Sequence, residues 1–308
     1  MERREFYRVS SNGEGQLFSR SWISDKPWCI VQIVHGMAEH SKRYDDFAAK
    51  LTDIGCNVYA NDHIGHGMSK QGHRGTFAMQ KGGFDYVLED MHSLFEYAEE
   101  ESGKMPKILL GHSMGSILAE LYASTYQDID GMILSGTVAP NKSVGAAIGI
   151  ANIHIAMHGY TSVSKILDKL TNTNLEAEGD SPIAKYSWLT RDMDIVKKYA
   201  EDEDCGFSFS ASANREMFIG LKHVTNKAWA GKVPRVPVLI LGGSEDPAGN
   251  KGDAPKYYFE KLKNEGNDEV SIKIYEGAKH EILNEINKGE VYEDIMTWLE
   301  KKIQEQLL

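Results

Sequence analysis

The stretch Lys107-Ile-Leu-Leu-Gly-His-Ser-Met-Gly115 decides the fold. Ile108, Leu109 and Leu110 make a short apolar run of strand length, after which Ile117, Leu118, Leu121 and Tyr122 recur at helical spacing on one face. Between the two patterns lies Gly-x-Ser-x-Gly, with Ser113 where a strand turns sharply into a helix. Such an elbow holds the serine in strained backbone geometry and aims its hydroxyl out of the sheet. Gly111 and Gly115 are required because a Cβ at either position would collide where the strand and helix backbones pass closely. The flanking periodicities therefore predict an exposed nucleophile at Ser113 rather than a plain turn.

Outward from the elbow, strand-like runs at 6–9, 17–22, 28–34, 57–61, 107–110, 131–134, 236–241 and 270–275 alternate with amphipathic helical segments. One helix carries Tyr44, Phe47, Ala48 and Leu51; a second carries Phe84, Val87, Leu88, Met91, Leu94, Phe95 and Ala98; the last turns Val291, Ile295, Trp298, Leu299 and Ile303 inward. This alternation predicts an α/β fold, a mostly parallel eight-stranded sheet with helices on both faces. It fails between about 140 and 223, which reads as a helical cap inserted into a core of residues 1–139 and 224–308. The cap opens with the apolar stretch from Val144 to Met157, too short to span a bilayer. That stretch is either a buried helix or a lid that touches substrate or, transiently, a lipid interface.

With 308 residues, 41% hydrophobic and 26% charged, the chain is neither disordered nor membrane-spanning in composition. Its net charge of −11 offers no basic footprint for nucleic acid. The opening Met-Glu-Arg-Arg-Glu-Phe lacks an apolar export segment, and Cys29, Cys56 and Cys205 are odd in number and dispersed; both features predict a cytoplasmic protein with free thiols. His63, His66 and His73 lie near Asp62, but their spacing matches no metal-ligand pattern, and no glycine-rich phosphate cradle is present. Neither a metal nor another cofactor is expected, and no obligate protein partner is implied.

A serine hydroxyl needs a base and an orienting acid, and these should sit in loops at the carboxyl edge of the sheet. The apolar run ending at Leu241 delivers Gly-Gly-Ser-Glu-Asp246, which makes Asp246 the chosen acid; Glu245 and Asp253 remain competitors on spacing alone. The run 270–275 ends in a loop with His280, the last histidine in the chain and so the one available base after the final strand. For the oxyanion, the amide after the nucleophile is that of Met114, and the glycine turn His35-Gly36-Met37 after an earlier strand offers the Met37 amide.

Together, His35-Gly-Met-Ala-Glu-His40, Arg43-Tyr44, Asp62-His-Ile-Gly-His-Gly-Met-Ser69, Gly111-His-Ser-Met-Gly115 and His280-Glu-Ile-Leu-Asn-Glu285 resemble the monoacylglycerol lipase and lysophospholipase branch of the α/β hydrolases, within the serine aminopeptidase-type family. The resemblance implies Ser113, Asp246 and His280 as the triad, Met37 and Met114 as oxyanion amides, and a cap between the strands at 131–134 and 236–241. Two departures stand out. Ser116 occupies a position where the family usually has glycine, and Met37-Ala38 replaces a smaller pair, which bears on acyl-pocket size more than on catalysis. Tyr186-Ser-Trp-Leu-Thr-Arg-Asp192 with Asp204-Cys-Gly-Phe207 resembles bacterial lysophospholipase-type members.

The expected activity is cofactor-free hydrolysis of small-molecule carboxylic esters of monoacyl lipids through an acyl-enzyme. Two rivals are an aminopeptidase or amidase, whose amine would be gripped by cap carboxylates among Glu176, Glu178, Asp180, Glu201, Asp202, Glu203 and Asp204, and a catalytically silent binding module.

Overall fold

A computed structural model describes residues 1–13, 15–70, 73–78, 82–172, 175, 181, 183–226 and 228–307. Its eight strands form one sheet in the order β1-β2-β4-β3-β5-β6-β7-β8. β1 (Glu2–Val9) and β2 (Gln16–Ile23) are an antiparallel hairpin, and β2 is also antiparallel to β4 (Cys56–Asn61). From β4 onward, β3 (Cys29–Val34), β5 (Lys107–His112), β6 (Gly131–Ser135), β7 (Val238–Gly243) and β8 (Val270–Tyr275) pair in parallel. β3, β4, β6 and β7 are buried along their length, and β5 from Ile108 onward, because both faces are covered.

β1 is four residues longer at its start than the apolar pattern predicts. Glu2 to Glu5 are exposed and join the sheet through main-chain pairing with Arg20 to Ile23, a contact that hydrophobic periodicity does not register. β7 starts two residues later than predicted, since Pro237 has no N–H to give to the ladder.

α1 (Asp45–Asp53) and α9 (Lys288–Lys302) cover one face, where Phe47, Leu51, Val291, Ile295 and Leu299 meet Val31, Ile33 and Leu110. α2 (Gly83–Ser102), α3 (Met114–Tyr126) and α8 (Asp253–Asn264) cover the other, where Met91, Leu118 and Tyr258 meet Leu109 and Ile240. The sheet order reverses at β3, with β4 on one side and β5 on the other. The carboxyl ends of β3 and β5 therefore flank the crevice where ligands of open α/β sheets bind.

Between β6 and β7 lie α4 (Val144–His158), α5 (Lys165–Thr171), α6 (Met193–Glu201) and α7 (Ala211–Val224), with one isolated bridge between Val163 and Ser210. α7 roots this segment: Ala213, Leu221 and Val224 join the main core, while Ala211 and Phe218 pack with Ala147, Ala151 and Ile155 of α4. α4 is neither fully buried nor fully free. Its opposite side leaves Ile150, Ile153 and Met157 exposed.

Candidate active site

Ser113 caps α3 at the end of β5 with φ 56° and ψ −118°, a conformation that costs a non-glycine residue energy and that the packing around the elbow enforces. The two glycines explain how. A Cβ on Gly111 would strike the carbonyl of Gly115, and one on Gly115 would strike the carbonyls of Val34 and His35. α3 thus lies directly against the end of β3, which brings the following turn to Ser113: a Cβ on Gly36 would lie 3.2 Å from that of Ser113.

On the other side, the β8 loop delivers His280 and the β7 loop Asp246, both almost fully buried. His280 Nδ1 is 3.0 Å from each carboxylate oxygen of Asp246, and Asp246 Oδ1 also accepts from the Ala248 amide at 2.9 Å. Burial alone would depress the imidazole pKa; the Asp246 charge and hydrogen bond outweigh it, and the pKa lies above the ordinary histidine value. Nε2 of His280 is buried and has no partner among the described residues. Ser113 and His280 line one cavity of about 930 Å³. Of the three acids left open by spacing, Asp246 is the one that reaches the histidine. Glu245 is half-exposed beside Lys251, and Asp253 opens α8 and accepts from Asn250.

The turn after β3 is pinned peptide by peptide. The Gly36 amide donates to Glu39 Oε1 at 2.6 Å, and His35 Nδ1 donates to the Gly36 carbonyl at 2.8 Å, which fixes the peptide that carries the Met37 N–H. His35 Nε2 accepts from the His63 amide at 3.0 Å. The Ala38 amide donates to His66 Nε2 at 3.3 Å, while His66 Nδ1 donates to the Ile64 carbonyl at 3.1 Å. These bonds require neutral imidazoles. Burial lowers His63 to about 3 and His66 to about 4, and it lowers His35 as well. Of the histidines that cluster near Asp62 in sequence, His66 serves main-chain partners with both ring nitrogens, while both ring nitrogens of His63 are buried without a partner among the described residues. The amides of Met37 and Met114 have no acceptor among the described residues.

Several side chains around the site carried no assigned role from sequence. Arg43 bridges Glu39 at 2.5 Å and Glu281, the neighbour of His280, at 2.6 and 2.7 Å. Burial pushes Glu281 up, but the Arg43 guanidinium overrides it and holds the carboxyl well below its ordinary range. The Trp188 ring lies 4.9 Å from that of His280, and the Glu281 amide donates to the Leu189 carbonyl at 2.7 Å. The sequence signal was present in Glu39, Arg43 and Glu281, which belong to the quoted motifs; their mutual contact spans 238 positions and is not visible in any window. His40 Nε2, Asp202 and Cys205 form the one nitrogen, oxygen and sulfur group of metal-ligand type among the described residues, with His40 and Asp202 already bonded at 3.0 Å.

A strained serine at a strand-to-helix elbow beside the switch point, with an Asp–His pair on the loops after β7 and β8, is what the comparisons can be set against. A model of the family Hydrolase_4, serine aminopeptidase S33, matches residues 25–287. The chain belongs to this family of α/β hydrolases. It is 28% identical over 288 residues to the monoacylglycerol lipase of Mycolicibacterium smegmatis, covering 90% of each chain. It is likewise 28% identical to the human monoglyceride lipase, covering 94% of this chain and 89% of that one. Among solved structures, a thermostable carboxyl esterase from Bacillus coagulans superposes with a TM-score of 0.90 at 29% identity, covering 98% and 99% of the two chains.

Proposed function

We propose that this α/β hydrolase is a serine carboxylic-ester hydrolase of monoacyl lipids, with Ser113 as nucleophile, His280 as base and Asp246 as its orienting acid. The observation that carries the reading is the His280 ring. Asp246 occupies Nδ1 on both carboxylate oxygens, which leaves Nε2 as the basic nitrogen in the cavity that Ser113 lines. Ser113 Oγ attacks the ester carbonyl as Nε2 takes its proton, and the amides of Met37 and Met114 hold the oxyanion. The imidazolium then protonates the departing alcohol. Water, activated by the same nitrogen, releases the acid and restores the serine.

Relatives named monoacylglycerol and monoglyceride lipases support the substrate class, as does the cavity. Its wall includes Ile117, Val144, Ala147, Met217, Phe218 and Leu221, and its volume suits a single acyl chain with a small head. Residues 140–223 act as the cap over this cavity, with α7 as its root. The exposed Ile150, Ile153 and Met157 on α4 are the face that would meet a lipid interface. No helix among the described residues is long and apolar enough to cross a membrane. The odd and dispersed set Cys29, Cys56 and Cys205 supports a reducing, cytoplasmic setting.

Cap carboxylates give little support to amine binding. Asp202 pairs with His40, Asp204 pairs with Lys70 and Arg74, Glu201 and Glu203 are exposed, and Glu176, Glu178 and Asp180 lie outside the described residues. Asp168 is a cap carboxylate that does line the cavity, so aminoacyl amides are the right comparison series. The test is fluorophosphonate labelling mapped by mass spectrometry, with hydrolysis of monoacylglycerols, lysophospholipids and aminoacyl amides by wild type and Ser113→Ala. Labelling on Ser113 alone, with ester turnover lost in the variant, is expected. Adducts elsewhere, or faster amide than ester cleavage, overturn the reading.

A further inference from the structure

The turn that carries Met37 is held on its outer side by the cap. Ala38 is almost fully buried and has φ 52°, in the left-handed region where an alanine is strained and reverts unless its neighbours hold it. Its amide is held from within the core by His66. Its carbonyl accepts two bonds, both from the inserted segment: Tyr199 Oη on α6 at 2.9 Å and the Gly206 amide at 2.9 Å. The two donors are themselves joined, since the Gly206 amide lies 3.2 Å from Tyr199 Oη. Tyr199 has little freedom. Arg43, fixed between Glu39 and Glu281, lies 4.8 Å from the centre of its ring on one side, and Tyr186 packs against it edge-on at 4.9 Å. The oxyanion turn, the residue after the catalytic histidine and the cap thus meet at one buried tyrosine.

We propose that Tyr199 and Gly206 are positioning groups for the oxyanion turn, so that ester cleavage requires residues 199–206 to be docked on Ala38. This rests on the assignment of the Met37 amide as an oxyanion donor. When residues 199–206 lift, the Ala38 carbonyl loses both donors, the left-handed conformation keeps only the His66 bond to its amide, and the neighbouring Met37 N–H leaves the direction in which it meets the oxyanion. The side chains of Ser113, His280 and Asp246 make no hydrogen bond to residues 199–206 among the described residues. Ester entry and exit with a lifted cap are therefore separated from chemistry, and the acyl-enzyme forms when the cap is down.

Tyr199→Phe tests this, since it keeps the ring on Arg43 and removes only the hydroxyl. Loss of a whole oxyanion donor costs about 10²- to 10³-fold, and loss of one of the two bonds to the Ala38 carbonyl is expected to lower kcat about tenfold. KM should stay within about twofold, because ground-state binding is unchanged. The Ki of an alkyl trifluoromethyl ketone, whose adduct places an oxyanion in the same hole, should weaken by the factor that kcat/KM loses. Hydrogen exchange should quicken in peptides covering 36–40 and stay constant across 107–116, a readout that does not depend on turnover and reports folding as well. Unchanged kcat, a rise in KM alone, an unchanged ketone Ki or unaltered exchange at 36–40 overturns the proposal. A wild type that is not labelled on Ser113 instead removes the ester-hydrolase assignment, while the exchange result still decides whether the cap holds the turn.

Discussion

Replacing Asp246 by Asn isolates what the carboxylate does. Both of its oxygens lie 3.0 Å from His280 Nδ1, and Oδ1 also accepts from the Ala248 amide at 2.9 Å. Asn fits the same space but has one acceptor and one donor end. The Ala248 N–H claims the acceptor, which turns the NH₂ toward His280 Nδ1. The ring must then accept at Nδ1 and carry its proton on Nε2, the tautomer that cannot take a proton from Ser113. The expected loss in kcat is about 10⁴-fold, or about 5.4 kcal/mol of transition-state stabilisation, with the fold intact. A second signature follows from electrostatics. In the wild type His280 titrates above its ordinary value because Asp246 outweighs burial, and the base must be neutral, so kcat/KM rises with pH through a midpoint above 6.5. In Asp246→Asn the raising charge is gone and burial remains, so any residual activity rises at lower pH. The assay is kcat/KM for a p-nitrophenyl ester from about pH 5 to 9, with Glu245→Gln as control. A variant within tenfold of wild type with an unmoved limb, or a larger loss in Glu245→Gln, refutes the reasoning.

Other expectations follow from the same geometry. Ala147→Phe narrows an apolar wall of the cavity and should leave short acyl esters unaffected while penalising long ones, by about fourfold in kcat/KM per methylene excluded at ~0.8 kcal/mol each; a uniform loss across chain lengths contradicts the assignment of that wall. Gly115→Ala drives a Cβ into the Val34 and His35 carbonyls and should destabilise the fold by more than about 3 kcal/mol in urea titrations, whereas near-native stability would mean that α3 can move away from β3. His66, depressed to about 4 by burial, contributes stability that is complete above its unfolded pKa of 6.5 and is lost as pH falls toward about 4. The difference amounts to about 3 kcal/mol, and urea titrations at both ends of that window should find it reduced in His66→Gln; an unchanged slope removes His66 from the acid response.

What was legible in the sequence is what lies within one element and its loop. The elbow, the strand that precedes it and the helix that follows occupy consecutive residues, so glycine spacing and two hydrophobic periods were enough to place Ser113. His280 was reached because no later histidine competes. Asp246 could not be separated from Glu245 and Asp253 by spacing, because side-chain direction in a loop depends on packing, here on the Ala248 amide that holds the carboxylate toward His280. Glu2 to Glu5 of β1 escaped for a related reason: main-chain pairing and exposed charge pairs, not an apolar pattern, make them a strand. The largest gap is at Tyr199. Nothing local distinguishes it from an ordinary inward tyrosine of α6, and its partner Ala38 lies 161 positions away. A left-handed alanine in the turn after β3 is likewise invisible as a residue type, since Asn or Gly would announce such a backbone and Ala does not. A buried Ala with positive φ marks a site whose conformation is imposed by its surroundings rather than by its own preference. In this fold the surroundings that impose it are His66 on the amide and, on the carbonyl, Tyr199 and Gly206 from the segment between β6 and β7, and the turn is therefore complete only in the tertiary structure.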